Sequence, residues 1–296
     1  MHQSGEFAAL LTAVFWTVTA LAFESATKRV GTYAVNIIRL CIAFVLLSLL
    51  NQVLRGHSLP SDATSFSWFW LSISGLIGFV LGDLFLFGSY PLIGSRLAML
   101  VMTLVPPMTT VIGKLMLHED IHLKGIIGML LVLTGIIIAI ISRENGKTTF
   151  KSGISVKGLV FAFLGAVGQA FGLVTSKYGM GEYNAFASTQ IRTIAGIIGF
   201  VVLITIMRKW NSVFLAFNDK NAIKGISLGA FFGPFLGVSF SLIAIKYTET
   251  GIASTIMAIV PVLIIAPSIL INKQKVSLRE IIGAVVSVCG VALLFL

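Results

Sequence analysis

Apolar runs of roughly 20 residues, each the length a helix needs to cross the hydrocarbon of a bilayer, follow one another along this chain with only short polar gaps between them. About ten can be counted: Phe7 to Ala26, Tyr33 to Leu54, Trp68 to Tyr90, Arg96 to Leu117, Leu123 to Ser142, Ser155 to Tyr178, Ala185 to Met207, Ala222 to Tyr247, Gly251 to Ile271 and Val276 to Leu296. Lipid offers no hydrogen bonds, so each run must satisfy its own amides as a helix. The expectation is an all-α integral membrane protein whose loops are too short to hold a soluble catalytic domain. The first run has no basic flank and no small-residue cleavage pattern, and reads as a span rather than a signal peptide.

Composition enters where partners are concerned. Hydrophobic residues make up 57% of the chain and charged residues 11%, against about 25% charged in a typical soluble protein. The net charge is +10, but its lysines and arginines lie in the gaps between runs, as membrane-flanking charge does, so no nucleic-acid partner is expected. Cys41 and Cys289 sit singly inside apolar runs, with no thiolate metal or disulfide spacing, and no cofactor motif is present.

The chain also repeats itself. At an offset of 155, Ser72 to Ile141 aligns without a gap on Ser227 to Leu296, matching Gly78 with Gly233, Gly82 with Gly237, Pro106 with Pro261, Gly128 with Gly283 and Gly135 with Gly290. At an offset of 153, Arg39 falls on Arg192 and Trp16 on Gln169. The halves are residues 1–147 and 148–296, five runs each. An odd number of spans makes the second half enter the membrane from the opposite side, so about ten transmembrane helices form two inverted five-helix repeats. Many secondary transporters are built this way, with the substrate site between the repeats.

Certain residues stand out against the apolar background. Arg39 and Arg192 lie inside spans, where an unpaired charge costs at least about 2.5–3.5 kcal/mol. They read as symmetry-related cations for an anionic substrate group, or as structural caps that hold the halves together. Asp83, whose repeat mate is Val238, reads as a proton-coupling carboxylate, as an ion-pair partner of Arg39 or Arg96, or as a group close enough to water to need no partner. Trp16, Gln169 and Tyr90 are candidate cavity residues, and Glu24 is expected at the membrane interface. Pro106 and Pro261 remove backbone donors at equivalent places and predict a symmetric pair of kinks. Gly78-x3-Gly82 and Gly229-x3-Gly233-x3-Gly237 are small-residue ridges for close helix packing. His118-Glu119-Asp120-Ile121-His122 satisfies H-E-x-x-H, which leaves an intramembrane metal-dependent protease as the alternative reading.

The tandem five-span halves, Arg39 and Arg192 in their second spans, the acidic Glu119 after the fourth span and the pairs Gly128-x6-Gly135 and Gly283-x6-Gly290 resemble the drug/metabolite transporter superfamily, specifically its EamA-like ten-helix members. Gln274 departs from the pattern at the second-half acidic position. The resemblance implies a non-enzymatic secondary carrier in the cell inner (plasma) membrane. It would export small metabolites by alternating access through a cavity between the halves. Lysines and arginines after spans one, five, seven and nine put those gaps in the cytoplasm and both termini outside, whereas the resemblance implies cytoplasmic termini.

Overall fold

A computed structural model of the chain describes residues 2–117, 123–144, 147–150, 154–247, 250–270 and 276–295. Almost all of the described chain is helical, and ten apolar helical stretches can be followed among the described residues. Helix α1 (His2–Arg55) contains the first two spans. They part at Gly31, whose φ of 79° and ψ of 166° only glycine adopts without strain, so the chain reverses with no loop. The same device at Gly94 (φ 78°) divides α3 (Asp83–Val101) between spans three and four.

Span three comprises α2 (Ser65–Gly75), a π-helical turn Leu76–Gly82 and the first part of α3. Span four runs on through a 3-10 turn (Met102–Leu104) into α4 (Val105–Leu117), and span five is α5 (Leu123–Ile140). A two-stranded antiparallel hairpin, β1 (Ile141–Glu144) and β2 (Lys147–Phe150), joins the repeats. Spans six and seven are α6 (Val156–Met180) and α7 (Ala185–Ile206), started by the side chains of Ser155 and Asn184, which accept from backbone amides of the first turn. After the short α8 (Trp210–Ala216), span eight comprises α9 (Lys220–Ala230), a second π turn Phe231–Gly237 and α10 (Val238–Tyr247). Span nine is α11 (Thr250–Met257), α12 (Val260–Leu263) and α13 (Ile265–Leu270), and span ten is α14 (Leu278–Phe295).

Glycine contacts show how the repeats interlock. A Cβ on Gly168 would stand 2.5 Å from the Cα of Gly82, and one on Gly172 would stand 2.9 Å from the Cα of Gly78, so span six lies almost backbone to backbone on span three. The symmetric contact is span eight on span one, where a Cβ on Gly233 would come 2.8 Å from Thr19 and one on Gly237 2.9 Å from the Trp16 ring. Helices α5 and α14 pack on each other with Gly135 against Gly283 and Gly290 against Gly128. Contacts that rise in number along one helix and fall along the other mean that these equivalent helices run antiparallel. An axis relating them must lie across the helices, in the membrane plane, so the repeats are inverted.

The two π turns are themselves repeat mates at the offset of 155. The second contains Pro234, but the first has Phe79 at that place, so the wide turn belongs to the repeat and not to the proline. In each, the amide that follows donates back to the fifth residue before it, Asp83 to Gly78 and Val238 to Gly233. Such insertions gather where a helix presents functional side chains.

Candidate functional site

Both π turns face a central cavity of about 140 Å³ between the repeats. The residues weighed in the sequence for cavity lining, coupling or kinks come to its wall: Trp16 from span one, Arg39 from span two, Asp83 and Tyr90 from span three, Pro106 from span four, Gln169 from span six, Arg192 from span seven and Pro261 from span nine. The 3-10 turn Met102–Leu104 ends directly before Val105-Pro106. At the equivalent place in span nine α11 ends at Met257, and α12 restarts at Val260 with Pro261 in its first turn.

Arg39 Nη2 donates to Asp83 Oδ2 at 2.5 Å, and Arg39 Nε donates to Asn36 Oδ1, one turn earlier in its own helix, at 3.0 Å. The other carboxylate oxygen, Asp83 Oδ1, accepts from Gln169 Nε2 at 2.5 Å. Asp83 is thus saturated by a cation from its own repeat and an amide from the other. Of the partners the sequence left open for this residue, Arg39 is the one it contacts; Arg96 pairs instead with Glu280, at 2.6 Å. An acid and a base sharing a dry interior offset each other's desolvation only when hydrogen bonds fill their remaining positions, which Asn36 and Gln169 do.

Arg192 is equally buried but differently served. Among the described residues no carboxylate pairs with its guanidinium, and its Nε is buried without a hydrogen-bond partner. Its contact is the Phe79 ring, 4.7 Å from the guanidinium carbon. The Arg39 guanidinium lies 5.6 Å from the same ring and 4.8 Å from Phe87. Phe79, carried by the first π turn, therefore faces both cations, and its π electrons favour each.

Charged side chains in the described lining are Arg39, Asp83 and Arg192, so the wall carries one net positive charge. The rest is aromatic and sulfur-bearing, including Phe23, Tyr90, Met99 and Met257. Such a surface packs an apolar body while the guanidinium holds a polar end. Phe23, Phe79 and Phe87 were missed by sequence reasoning, because a phenylalanine in an apolar span carries no signal; only the placement of Phe79 between the repeat-mate glycines Gly78 and Gly82 could have marked it.

Polar clusters tie spans together at the two ends of the helices. At one end Tyr183 donates to Asp62 at 2.7 Å, Arg55 pairs with Asp62 and also donates to Tyr183 at 3.2 Å, and Gln190 donates to Ser48 at 2.8 Å. At the other, Glu24 accepts from the Ser95 amide at 3.0 Å and from its hydroxyl and Lys28 at 2.5 Å each, while Arg29 lies 3.4 Å from Asp219 across the repeats. Glu24, which the sequence places near a span end, is buried at 1% exposure, because the Gly94 reversal aims the start of span four at it. His118, Glu119, His122 and Gln274 lie outside the described residues.

A family model described as the EamA-like transporter family matches the chain twice, over residues 3–141 and 156–296. Two curated proteins of Archaeoglobus fulgidus, each named an uncharacterized transporter, are similar along nearly their whole length. One is 23% identical over 294 residues, covering 97% of this chain and 96% of its own. The other is 20% identical over 284 residues, covering 95% of each. A solved crystal structure with 19% identity superposes with a TM-score of 0.67 over 98% of this chain and 96% of its own, and so shares the fold.

Proposed function

This chain belongs to the EamA-like transporter family and is a membrane transporter, and from that premise we propose that it moves a small metabolite bearing an anionic group, in the direction of export, by alternating access. The observation that carries the reading is the cavity between the repeats, into which each repeat sends one buried arginine. In this reading Arg39 and Arg192 form the cationic side of the substrate site, since a guanidinium offers a planar fork to a carboxylate or phosphate. Trp16, Gln169 and Tyr90 line the space for the rest of the molecule. The helix breaks before Pro106 and Pro261 are the places where spans four and nine bend as the cavity changes sides. Asp83 is the coupling candidate: a proton on it would release Arg39. The membrane is the plasma membrane of the cell, and no cofactor takes part.

The test is untargeted profiling of the medium from cells expressing wild type, Arg39→Ala or Arg192→Ala at matched membrane levels. A metabolite enriched outside with wild type and lost with both variants is the expected result. Export that survives in both variants at full rate overturns the arginine assignment, and inward accumulation in place of export reverses the direction.

A further inference from the structure

Two arginines reach the cavity, but they do not present the same chemistry. Arg39 is committed to Asp83 at 2.5 Å, and Asp83 is in turn held by Gln169. Arg192 stacks on Phe79 and, among the described residues, no carboxylate touches it: Asp83 acts on it only through space, and its Nε is buried and unbonded. The repeat symmetry that supplies two cations is broken by one carboxylate, because the mate of Asp83 is Val238. One cation is neutralised by direct contact and the other has no contacting anion among the described residues.

We infer that the cavity is selective for monoanions: Arg192 receives the single anionic group of the guest, and Asp83 is the specificity-determining residue, a resident counter-anion that neutralises Arg39 and excludes dianions. This deepens the transport reading, narrowing its cationic side from both arginines to Arg192, and rests on the cavity being its substrate site. The physical ground is charge balance in a poorly screened space. A monoanion brings the wall from +1 to neutral, whereas a dianion leaves one negative charge uncompensated among phenylalanine and methionine side chains, a state that burial penalises heavily. The volume sets the scale of the guest, since about 140 Å³ is close to the volume of an apolar cavity that holds one benzene-sized molecule. The aromatic and thioether wall suits an apolar or single-ring body.

The experiment reads binding by thermal shift of purified full-length protein in detergent micelles at neutral pH. The probes are benzoate and butyrate, the matched dianions phthalate and succinate, and the neutral benzamide. Wild type should be stabilised by at least one monocarboxylate and by neither the dicarboxylates nor benzamide, and Arg192→Gln should lose that response. Asp83→Asn, which raises the wall to +2, should shift the monoanion-to-dianion affinity ratio about tenfold or more toward the dianion, the scale expected of one added charge at low screening. Because Asp83→Asn leaves Arg39 buried and unpaired, Asp83→Glu and the double variant Arg39→Gln with Asp83→Asn are measured beside it. Both keep the wall at +1 and should keep the monoanion preference, an outcome that a merely structural role for Asp83 does not produce.

No response of wild type to either monocarboxylate overturns the anion site. A benzoate or butyrate response that survives Arg192→Gln overturns the assignment to Arg192, and an unchanged ratio in Asp83→Asn overturns the role of Asp83. Binding in micelles needs no turnover, so these outcomes are independent of the export assay: export without monoanion selectivity rejects this inference alone, and selective binding without export rejects the export reading alone.

Discussion

The carboxylate of Asp83 in span three meets the guanidinium of Arg39 in span two at 2.5 Å, with 7% and 3% of the two side chains exposed. The pair lies inside one repeat, and the other repeat reaches it through Gln169. Its stability consequences are separable from its selectivity.

Breaking the pair strands a charge. Asp83→Asn or Arg39→Gln should destabilise the protein by about 3–5 kcal/mol, as removal of one partner of a buried ion pair does. Removing both charges together should recover much of the loss, because neither remains uncompensated. Unfolding of the three variants in mixed micelles by increasing dodecyl sulfate gives the comparison, and equal losses in the singles and the double would contradict it.

The crossing of α5 and α14 leaves no room for a side chain. A Cβ on Gly135 would stand 2.5 Å from the Gly283 carbonyl oxygen and meet the Ser287 hydroxyl, and one on Gly283 would stand 2.8 Å from the Ala139 Cβ. Gly135→Ala and Gly283→Ala should each cost about 1–3 kcal/mol, the range for overpacking, despite alanine's better helix propensity. Thermal unfolding of the purified variants measures this, and wild-type stability in both would show that the helices are not so close.

Glu24 anchors the end of span one to the start of span four. Glu24→Gln keeps the shape but puts an amide where three donors converge, and Ser95→Ala removes one of those donors. The first should lose about 1–3 kcal/mol, as a buried unsatisfied group does, and the second less. Hydrogen exchange at the Ser95 amide should rise in Glu24→Gln; exchange identical to wild type would sink the assignment.

Outside the spans, the Asp62, Tyr183 and Arg55 cluster is pH-sensitive at two edges. The hydrogen bond from Tyr183 holds the Asp62 carboxyl below its ordinary value, so its contribution is present above the usual carboxylate range and fades as pH falls through the lowered value. Burial, then the bond to Asp62, pushes Tyr183 from 10.0 up to about 12, so its contribution is complete below 10.0 and is lost as pH rises toward about 12. Phenolate absorbance of wild type against Tyr183→Phe should show one tyrosine ionising late. Asp62→Asn should bring that titration back toward the ordinary value.

Much of this molecule follows from the order of residues alone. The apolar runs prescribe transmembrane helices because lipid leaves the backbone no other way to satisfy its amides, and the duplicated glycines and arginines prescribe two repeats. Expense marks the candidate site residues: Arg39, Asp83 and Arg192 stand out because a charge inside a membrane is costly. The sequence could not say that Asp83 belongs to Arg39 rather than Arg96, that Glu24 is buried, or that Phe79 lies between two guanidinium groups. Those relations depend on how helices are rotated and how far they slide past one another, which is settled by the backbone-to-backbone contacts of Gly82 with Gly168 and Gly135 with Gly283, by the reversals at Gly31 and Gly94, and by the two π turns. Hydrophobic length fixes that a helix crosses the membrane, but lipid is as apolar as the helix surface and does not choose which face turns inward. Only the packing of the assembled repeats decides that, and with it which of two symmetry-related arginines meets the Asp83 carboxylate.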